Sequence, residues 1–86
     1  MQHPSQAVAF EWDEHNEAEL ADHEVLPYEV EQVFWNGPRF SRNKKRGTAR
    51  WRMVGHTDSG RMLQVFVIWA DERDGVLRAV TGWAIR

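Results

Sequence analysis

The sequence predicts a small α+β domain in which two helices pack on an antiparallel sheet, with elements in the order β-α-α-β-β-β. Two observations indicate this class. Residues 12–23 place Trp12, Asn16, Leu20 and His23 on one stripe at helical spacing, whereas residues 48–85 alternate between apolar and polar or form short apolar runs. A chain of 86 residues has room for one modest core, so we expect a single domain over residues 1–86.

A short strand and a first helix are predicted at the start of the chain. Residues 8–12 are apolar at alternate positions, and we expect residues 1–7 to be disordered. Asp13 stands where a helix N-cap belongs, ahead of acidic residues that complement the dipole of the first turn. The helix should run to about His23. Its inward stripe consists of Trp12, Asn16, Leu20 and His23.

A second helix and a basic segment follow. Pro27 suits the first turn of a helix, because the N–H that it lacks would have no partner there. Residues 36–38, Asn-Gly-Pro, end this helix. Residues 39–47, RFSRNKKRG, are basic and show no periodicity, so we expect a mobile loop.

Three strands are predicted in the second half. Residues 48–56 alternate in character, and turn residues 58–60 join them to a run at residues 62–70 that is apolar on both faces. A last strand covers residues 76–85. The polar face of the first of these strands carries Arg50, Arg52 and His56.

Charge is divided unevenly along the chain. Residues 1–38 hold nine acidic residues and no Lys or Arg, hence a charge of −9, whereas residues 39–86 hold eleven basic and four acidic residues, hence +7. Either the basic half meets an anionic partner, or an acidic helical layer rests on a basic sheet. Both interpretations remain open at this point.

Several classes of protein are disfavoured by composition. The chain has no cysteine, and its four histidines show no metal-ligand spacing, so we expect no disulfide, metal or cofactor. The longest apolar run, Val65–Ala70, is far too short to cross a membrane. The N-terminus lacks the pattern of a secretory signal, and a cytoplasmic protein is expected.

Spaced motifs run through both halves of the chain. The first half contains Phe10-x-Trp12-Asp13-x-x-Asn16, Leu20-x-x-His23-x-Val25 and Glu29-x-x-x-Val33-Phe34. The second half adds Arg52-x-x-x-Gly55-x-Thr57-x-x-Gly60-Arg61-x-Leu63, followed by Arg78 and Thr81. In order and spacing these motifs resemble the BrnT family of toxins from type II toxin–antitoxin pairs. The resemblance implies a RelE-like fold, ribonuclease activity, and neutralisation by a cognate antitoxin of the ribbon-helix-helix type that binds the toxin directly.

Two features differ from the family pattern. Family members usually have Gly after the motif histidine, where this chain has Glu24, and they often continue into a basic helical tail, whereas this sequence ends at Arg86. We therefore expect the fold without the C-terminal basic helix. The lack of the basic tail in this sequence and the net charge of −2 favour an alternative function. In this alternative the protein is a catalytically inactive BrnT-like module that only binds a protein partner.

The basic strand face is the predicted RNA site. An arginine can hold a phosphate with two hydrogen bonds, and a histidine can move a proton while the RNA's own 2′-hydroxyl attacks. The predicted phosphate-binding residues are Lys44, Lys45, Arg46, Arg50 and Arg52. The predicted catalytic residues are His56, Arg61 and Arg78. Arg61 joins this face only if the hairpin loop has an even number of residues, and the face could equally be an ordinary solubilising surface.

Other motif residues have a structural and a functional interpretation. Asp13 and Asn16 are expected to act as cap and inward hydrogen-bonding group, and for His23 a structural role is favoured over a functional one. Trp51, Trp69 and Trp83 could stack on an unpaired base, although tryptophans more often pack in cores. An open edge on the last strand would allow a partner strand or a second copy to pair with it, which would give a homodimer.

Overall fold

The computed structural model describes residues 2–45 and 48–85, except for the side chains of residues 44, 45, 48 and 49. Five strands and two α-helices form an α+β domain, as predicted. Their bounds are β1 Ala9–Glu11, α1 Glu14–Ala21, α2 Pro27–Trp35, β2 Arg39–Lys45, β3 Thr48–His56, β4 Met62–Asp71 and β5 Val76–Ala84.

The sheet has the strand order β1-β5-β4-β3-β2. Strands β2 to β5 form an antiparallel meander, as expected of consecutive strands joined by short turns. Strand β1 lies beside β5 and runs parallel to it, pairing Ala9 with Val76 and Glu11 with Arg78. The sheet is therefore mixed, whereas the sequence predicted a wholly antiparallel one.

The segment predicted as a mobile loop is the strand β2. It pairs with β3 along its whole length, from Arg39 opposite Val54 to Lys45 opposite Thr48. Phe40 is the one apolar side chain of this segment and packs against the core, so the segment carries no alternating pattern. The strand is stabilised instead by its backbone hydrogen bonds with β3. The loop prediction is thus wrong for residues 39–45, and residues 46–47 lie outside the described residues.

The N-terminal segment is also more ordered than predicted. A single 3-10 turn spans Pro4–Gln6, and Pro4 and Ala7 are buried. The ring of His3 lies edge-on to Phe40 at 5.4 Å and to Trp51 at 5.0 Å between ring centroids. These contacts fix the segment against β2 and β3, so the expectation of disorder is wrong for residues 2–7.

Helix α1 begins as predicted and ends two residues early. Asp13 is its N-cap and forms a reciprocal capping box with Asn16. The helix ends in a Schellman arrangement, in which the Glu24 N–H donates to the Ala21 carbonyl and the Val25 N–H to the Leu20 carbonyl. Glu24 has φ of 60°, a conformation that favours glycine, the residue usual there in the resembled family.

The core lies on one face of the sheet. Helix α2 packs against β3 and β4, while α1 lies along β5. The buried apolar side chains are Ala7, Leu20, Val25, Val30, Val33, Phe34, Met53, Leu63, Val65, Val67, Leu77 and Ala79. Within the described ranges, neither helix is long or apolar enough to span a bilayer.

Candidate functional site

The face of the sheet turned away from α2 carries four of the eight residues predicted to bind or cut RNA, Arg50, Arg52, His56 and Arg78. Side chains alternate along a strand, so the buried Leu63, Val65 and Val67 of β4 leave the residues between them on the opposite side. We call this opposite side the open face. Its members include Arg39, Asn43, Arg50, Arg52, His56, Gln64, Phe66, Ile68, Arg78, Thr81 and Trp83.

Two predicted phosphate-binding residues lie on the open face. The Arg52 Nε donates a hydrogen bond to the Gln64 Oε1 on the neighbouring strand, which orients the guanidinium. Arg50 lies between two surface depressions. Neither arginine has a carboxylate partner within residues 2–45 and 48–85. Arg39, which sequence reasoning assigned to a loop, adds a third positive charge at the edge of this face.

Three further predicted phosphate-binding residues cannot be placed in this site. They are Lys44, Lys45 and Arg46. The backbone of the first two belongs to β2, but their side chains, and Arg46 altogether, lie outside the described residues.

His56 lies on the open face but at the far end of β3. It is six residues from Arg50, which is about 20 Å at the rise of an extended strand. Its side chain is exposed, and its carbonyl accepts a hydrogen bond from the Asn36 Nδ2 at 3.0 Å. His56 and Arg50 therefore cannot contact the same phosphate group.

Arg61 lies on the helix side of the sheet. His56 pairs with Met62, so the loop between them has five residues, and this odd number turns Arg61 away from the open face. Its Nη1 donates to both carboxylate oxygens of Glu29 on α2, at 2.9 and 3.1 Å. The guanidinium thus joins the β3–β4 loop to α2.

Arg78 lies on the open face at the end where β1 pairs with β5. Its Nη1 is 2.9 Å from the Glu11 Oε1 and 2.8 Å from the Asp13 Oδ2, and its Nη2 is 3.1 Å from the Asp13 Oδ1. The hydrogen bond from Arg78, with one from the Asn16 backbone, lowers the pKa of Asp13 from 3.8 to about 2. Because two carboxylates offset its charge, Arg78 attracts a phosphate less than Arg50 does.

The three predicted catalytic residues thus lie in three separate places. His56 is at one end of the open face, Arg78 is held by carboxylates at the other, and Arg61 is on the opposite side. Their catalytic roles remain predictions, but the fold does not bring them together around one reacting group.

A depression on the open face contains residues that sequence reasoning did not select. It has a volume of about 210 Å³ and is lined by Asn43, Arg50, Phe66, Thr81 and Trp83. The rings of Phe66 and Trp83 are 5.6 Å apart between centroids. We call this the aromatic depression. Its residues come from four strands, and only the register of the sheet brings them together.

A bulge in β5 decides which side chains reach this depression. Ala79 pairs with Val67 and Thr81 with Phe66, so Val80 has no partner residue on β4. The extra residue moves Thr81 and Trp83 to the same face as Arg78. Of the three tryptophans considered for stacking, Trp83 lies on the open face, whereas Trp51 and Trp69 pack against the core.

The motif residues around α1 combine structural roles with a position beside the site. The Trp12 Nε1 donates to the Glu31 Oε2 at 2.7 Å. The buried Asn16 Nδ2 donates to the carbonyls of Glu11 and Ala79, so it fulfils the predicted inward role. His23 was expected on the inward stripe, but its side chain is 40% exposed.

His23 and Glu19 form the rim of the aromatic depression. The His23 Nε2 is 3.5 Å from the Glu19 Oε2, and the His23 ring lies 5.6 Å from the Trp83 ring. The Thr81 Oγ1 donates to the same Glu19 oxygen at 2.9 Å. These contacts join α1 to the end of the site formed by β5.

The outer edge of the last strand is covered over its first residues, whereas the sequence predicted an open edge. Strand β1 pairs with the first residues of β5, and the Asn16 amide of α1 covers the carbonyl of Ala79 beyond them. The outer edge on the other side is formed by β2, whose sequence is strongly basic. In the described chain, the edges without a strand partner are therefore β2 and residues 80–84 of β5, and pairing with another strand or a second copy stays a prediction.

Comparisons with family models, curated proteins and solved structures found no match for this chain. Among the residues that the structure describes, no group of three His, Asp or Glu side chains is arranged to hold a metal ion.

Proposed function

We propose that this protein is the cytoplasmic toxin of a type II toxin–antitoxin pair, with a RelE-like fold, and that it binds and cuts RNA on the open face. One observation carries the proposal: Arg39, Arg50 and Arg52 share that face without a carboxylate partner in the described ranges, beside the partly buried ring of Phe66 and the exposed ring of Trp83. The motif resemblance to BrnT-like toxins points to the same activity.

The distribution of ion pairs distinguishes a binding surface from a solubilising one. Arg61 and Arg78 pair with acidic residues of the first half, which agrees with an acidic layer resting on a basic sheet. Arg50 and Arg52 are also partly shielded from solvent, yet they pair with no such acid in the described chain. Uncompensated arginines next to aromatic rings are typical of surfaces that bind single-stranded nucleic acid.

An RNA strand lying along β3 would meet these groups in succession. Arg50 and Arg52 are two residues apart, or about 7 Å, and His56 follows about 13 Å further along the same face. The two arginines would neutralise successive phosphates of the RNA. Further along the strand, at a third phosphate, His56 would accept the proton of a 2′-hydroxyl. The 2′-oxygen would bond to phosphorus, the bond to the 5′-oxygen would break, and water would protonate the leaving oxygen.

The antitoxin would inactivate the toxin by covering this face. An acidic segment of the antitoxin fits the same arginines that would bind RNA phosphates. Binding of antitoxin and RNA should therefore be mutually exclusive.

The test is expression of this chain alone in bacteria, with growth and total RNA followed over time. We expect growth arrest and RNA fragmentation, both lost in the double variant Arg50→Ala/Arg52→Ala. Arg73→Ala removes an exposed arginine from the β4–β5 turn and serves as the control, which should remain toxic. His56→Ala tests the predicted proton transfer. Normal growth and intact RNA, with abundant folded wild-type protein, would exclude the toxin.

The second candidate is a catalytically inactive module that binds the antitoxin alone. The observation in its favour is that Arg61 and Arg78 are held by carboxylates, while His56 lies far from Arg50. Such a module would form a complex with a ribbon-helix-helix protein encoded by the neighbouring gene, and it would leave RNA intact in the expression experiment.

A further inference from the structure

The aromatic depression combines an apolar surface with polar groups in a way that phosphate binding does not require. Phe66 and Trp83 supply its apolar part, and Trp83 is 37% exposed, so part of its side chain is accessible to a ligand. Asn43 and Thr81 supply polar groups from β2 and β5. Arg50 lies between them on β3.

Two of these side chains can form directional hydrogen bonds with a ligand. The Thr81 hydroxyl donates a hydrogen bond to the Glu19 carboxylate. The lone pairs of the Thr81 oxygen can therefore accept a hydrogen bond from a ligand N–H. The Asn43 amide lies across the β2–β3 pair from Arg50 and carries both a donor and an acceptor. Flat rings bordered by such groups match the faces and edges of a nucleobase.

We propose that the aromatic depression binds one unpaired base of a single-stranded RNA, stacked on Trp83 and flanked by Phe66, whose ring is tilted by 47° to that of Trp83, while Arg50 holds the adjoining phosphate. The inference rests on the proposed function and names the part of the substrate that this face recognises. A base within a duplex is stacked on both sides and cannot enter, so the site selects single strands.

The second depression beside Arg50 is a poorer site for RNA. It is lined by His15, Asn16, Arg50, Ile68, Arg78 and Val80 and has a volume of about 240 Å³. The carboxylates of Glu11 and Asp13, which hold Arg78, lie beside it and repel a phosphate. Beside the aromatic depression, Glu19 is the one carboxylate that contacts a lining residue within the described part of the chain, and it is already bonded to Thr81.

The experiment compares two short single-stranded probes of equal length and charge. One is a 2′-O-methyl RNA of mixed sequence, which binds without being cut, and the other has the same backbone with abasic sites in place of the bases. Binding of fluorescent probes to the full chain is measured by anisotropy at moderate salt. We expect the wild-type protein to bind the base-bearing probe more tightly by roughly five- to hundredfold, the range of base–aromatic stacking.

Variants localise the preference to the depression. Trp83→Ala and, independently, Phe66→Leu should each reduce the preference for the base-bearing probe, since each removes part of the apolar surface that contacts the base. The control is Trp35→Ala, which removes a tryptophan that is 64% exposed on the outer face of α2 and should keep the full preference. Circular dichroism identifies any variant that fails to fold. If one of the two site variants does not fold, the other still tests the site.

The possible results separate the two proposals. If wild-type protein binds both probes equally and Arg50→Ala/Arg52→Ala weakens both, the face binds RNA but the base site is refuted. If both Trp83→Ala and Phe66→Leu keep the full wild-type preference, bases are recognised elsewhere and the site is likewise refuted. If wild-type protein binds neither probe, RNA binding and the base site fail together.

Discussion

Asn16 joins α1 to the sheet, and its replacement by alanine should strongly destabilise the protein. The side chain is 1% exposed and makes three hydrogen bonds to backbone groups. Its Oδ1 accepts from the Asp13 N–H at 2.8 Å, and its Nδ2 donates to the carbonyls of Glu11 at 3.0 Å and Ala79 at 3.2 Å. These bonds cap α1 and give the Ala79 carbonyl of β5 a hydrogen-bond partner beyond the point where β1 ends.

The expected loss in the free energy of unfolding follows from the number of hydrogen bonds that Asn16→Ala removes. At about 1 kcal/mol net for each, three bonds amount to about 3 kcal/mol, and the backbone groups left unpaired make this a lower bound. For a chain of 86 residues, a loss of this size lowers the melting temperature by on the order of 12–24 °C. Asn16→Ala should therefore lose a large part of the stability of a small domain.

The assay is urea unfolding followed by tryptophan fluorescence, with thermal melts as a second measurement. Asn36→Ala is the matched control. Asn36 also donates two hydrogen bonds, to the His56 carbonyl at 3.0 Å and the Asp58 Oδ1 at 2.9 Å, but it is exposed. Water replaces those bonds in the variant, so we expect a loss of less than about 1 kcal/mol.

A second substitution at this position is tested by the direction in which its stability changes with pH. Asn16→Asp would direct a buried carboxylate at two carbonyl oxygens, so burial raises the pKa of the introduced carboxyl group. The variant should be more stable at about pH 4 than at pH 7, because the protonated form can donate a hydrogen bond. A loss below about 1 kcal/mol in Asn16→Ala, or an Asn16→Asp variant as stable as wild type at pH 7, would contradict this account.

Three other predictions concern two ion pairs and one backbone conformation. Because Arg78 lowers the pKa of Asp13 from 3.8 to about 2, the stability contributed by that carboxylate is present above about pH 4 and lost as the pH falls toward 2. Urea unfolding over this range should show the loss in wild type and a smaller one in Arg78→Met. Arg61→Ala should cost about 1 kcal/mol of stability but much less in a Glu29→Ala background, and additive losses in this double-mutant cycle would exclude the ion pair. Glu24→Gly should raise the free energy of unfolding by about 0.5–1 kcal/mol because Glu24 has φ of 60°, and no gain in a thermal melt would contradict this.

Local signals in the sequence were sufficient for most elements of the fold. Asp13 marks the start of α1 and Pro27 that of α2, since the requirements of a helix N-terminus are met within a few residues of the chain. The period of two and the apolar runs located β3, β4 and β5. Strand β2 was missed because its one core residue, Phe40, produces no period, and its backbone bonds come from β3.

The candidate site was predictable only in part. Alternation within β3 correctly placed Arg50 and Arg52 on one face. The side on which Arg61 lies depended on the number of residues in a loop, which the sequence left open. Asn43, Phe66 and Thr81 were missed, since their proximity depends on the register of four strands.

The amino-acid sequence was enough to predict the helices and strands whose signals are local, the division of charge, and the alternation of side chains within β3. Which charges remain unpaired and which side chains share a face depends on how the strands and helices pack together. Arg61 and Arg78 find carboxylates distant in sequence, and the bulge at Val80 turns Trp83 toward Arg50. The physical reason is that a shift of one residue in a strand reverses the face of each side chain beyond it, and pairing between strands determines that shift.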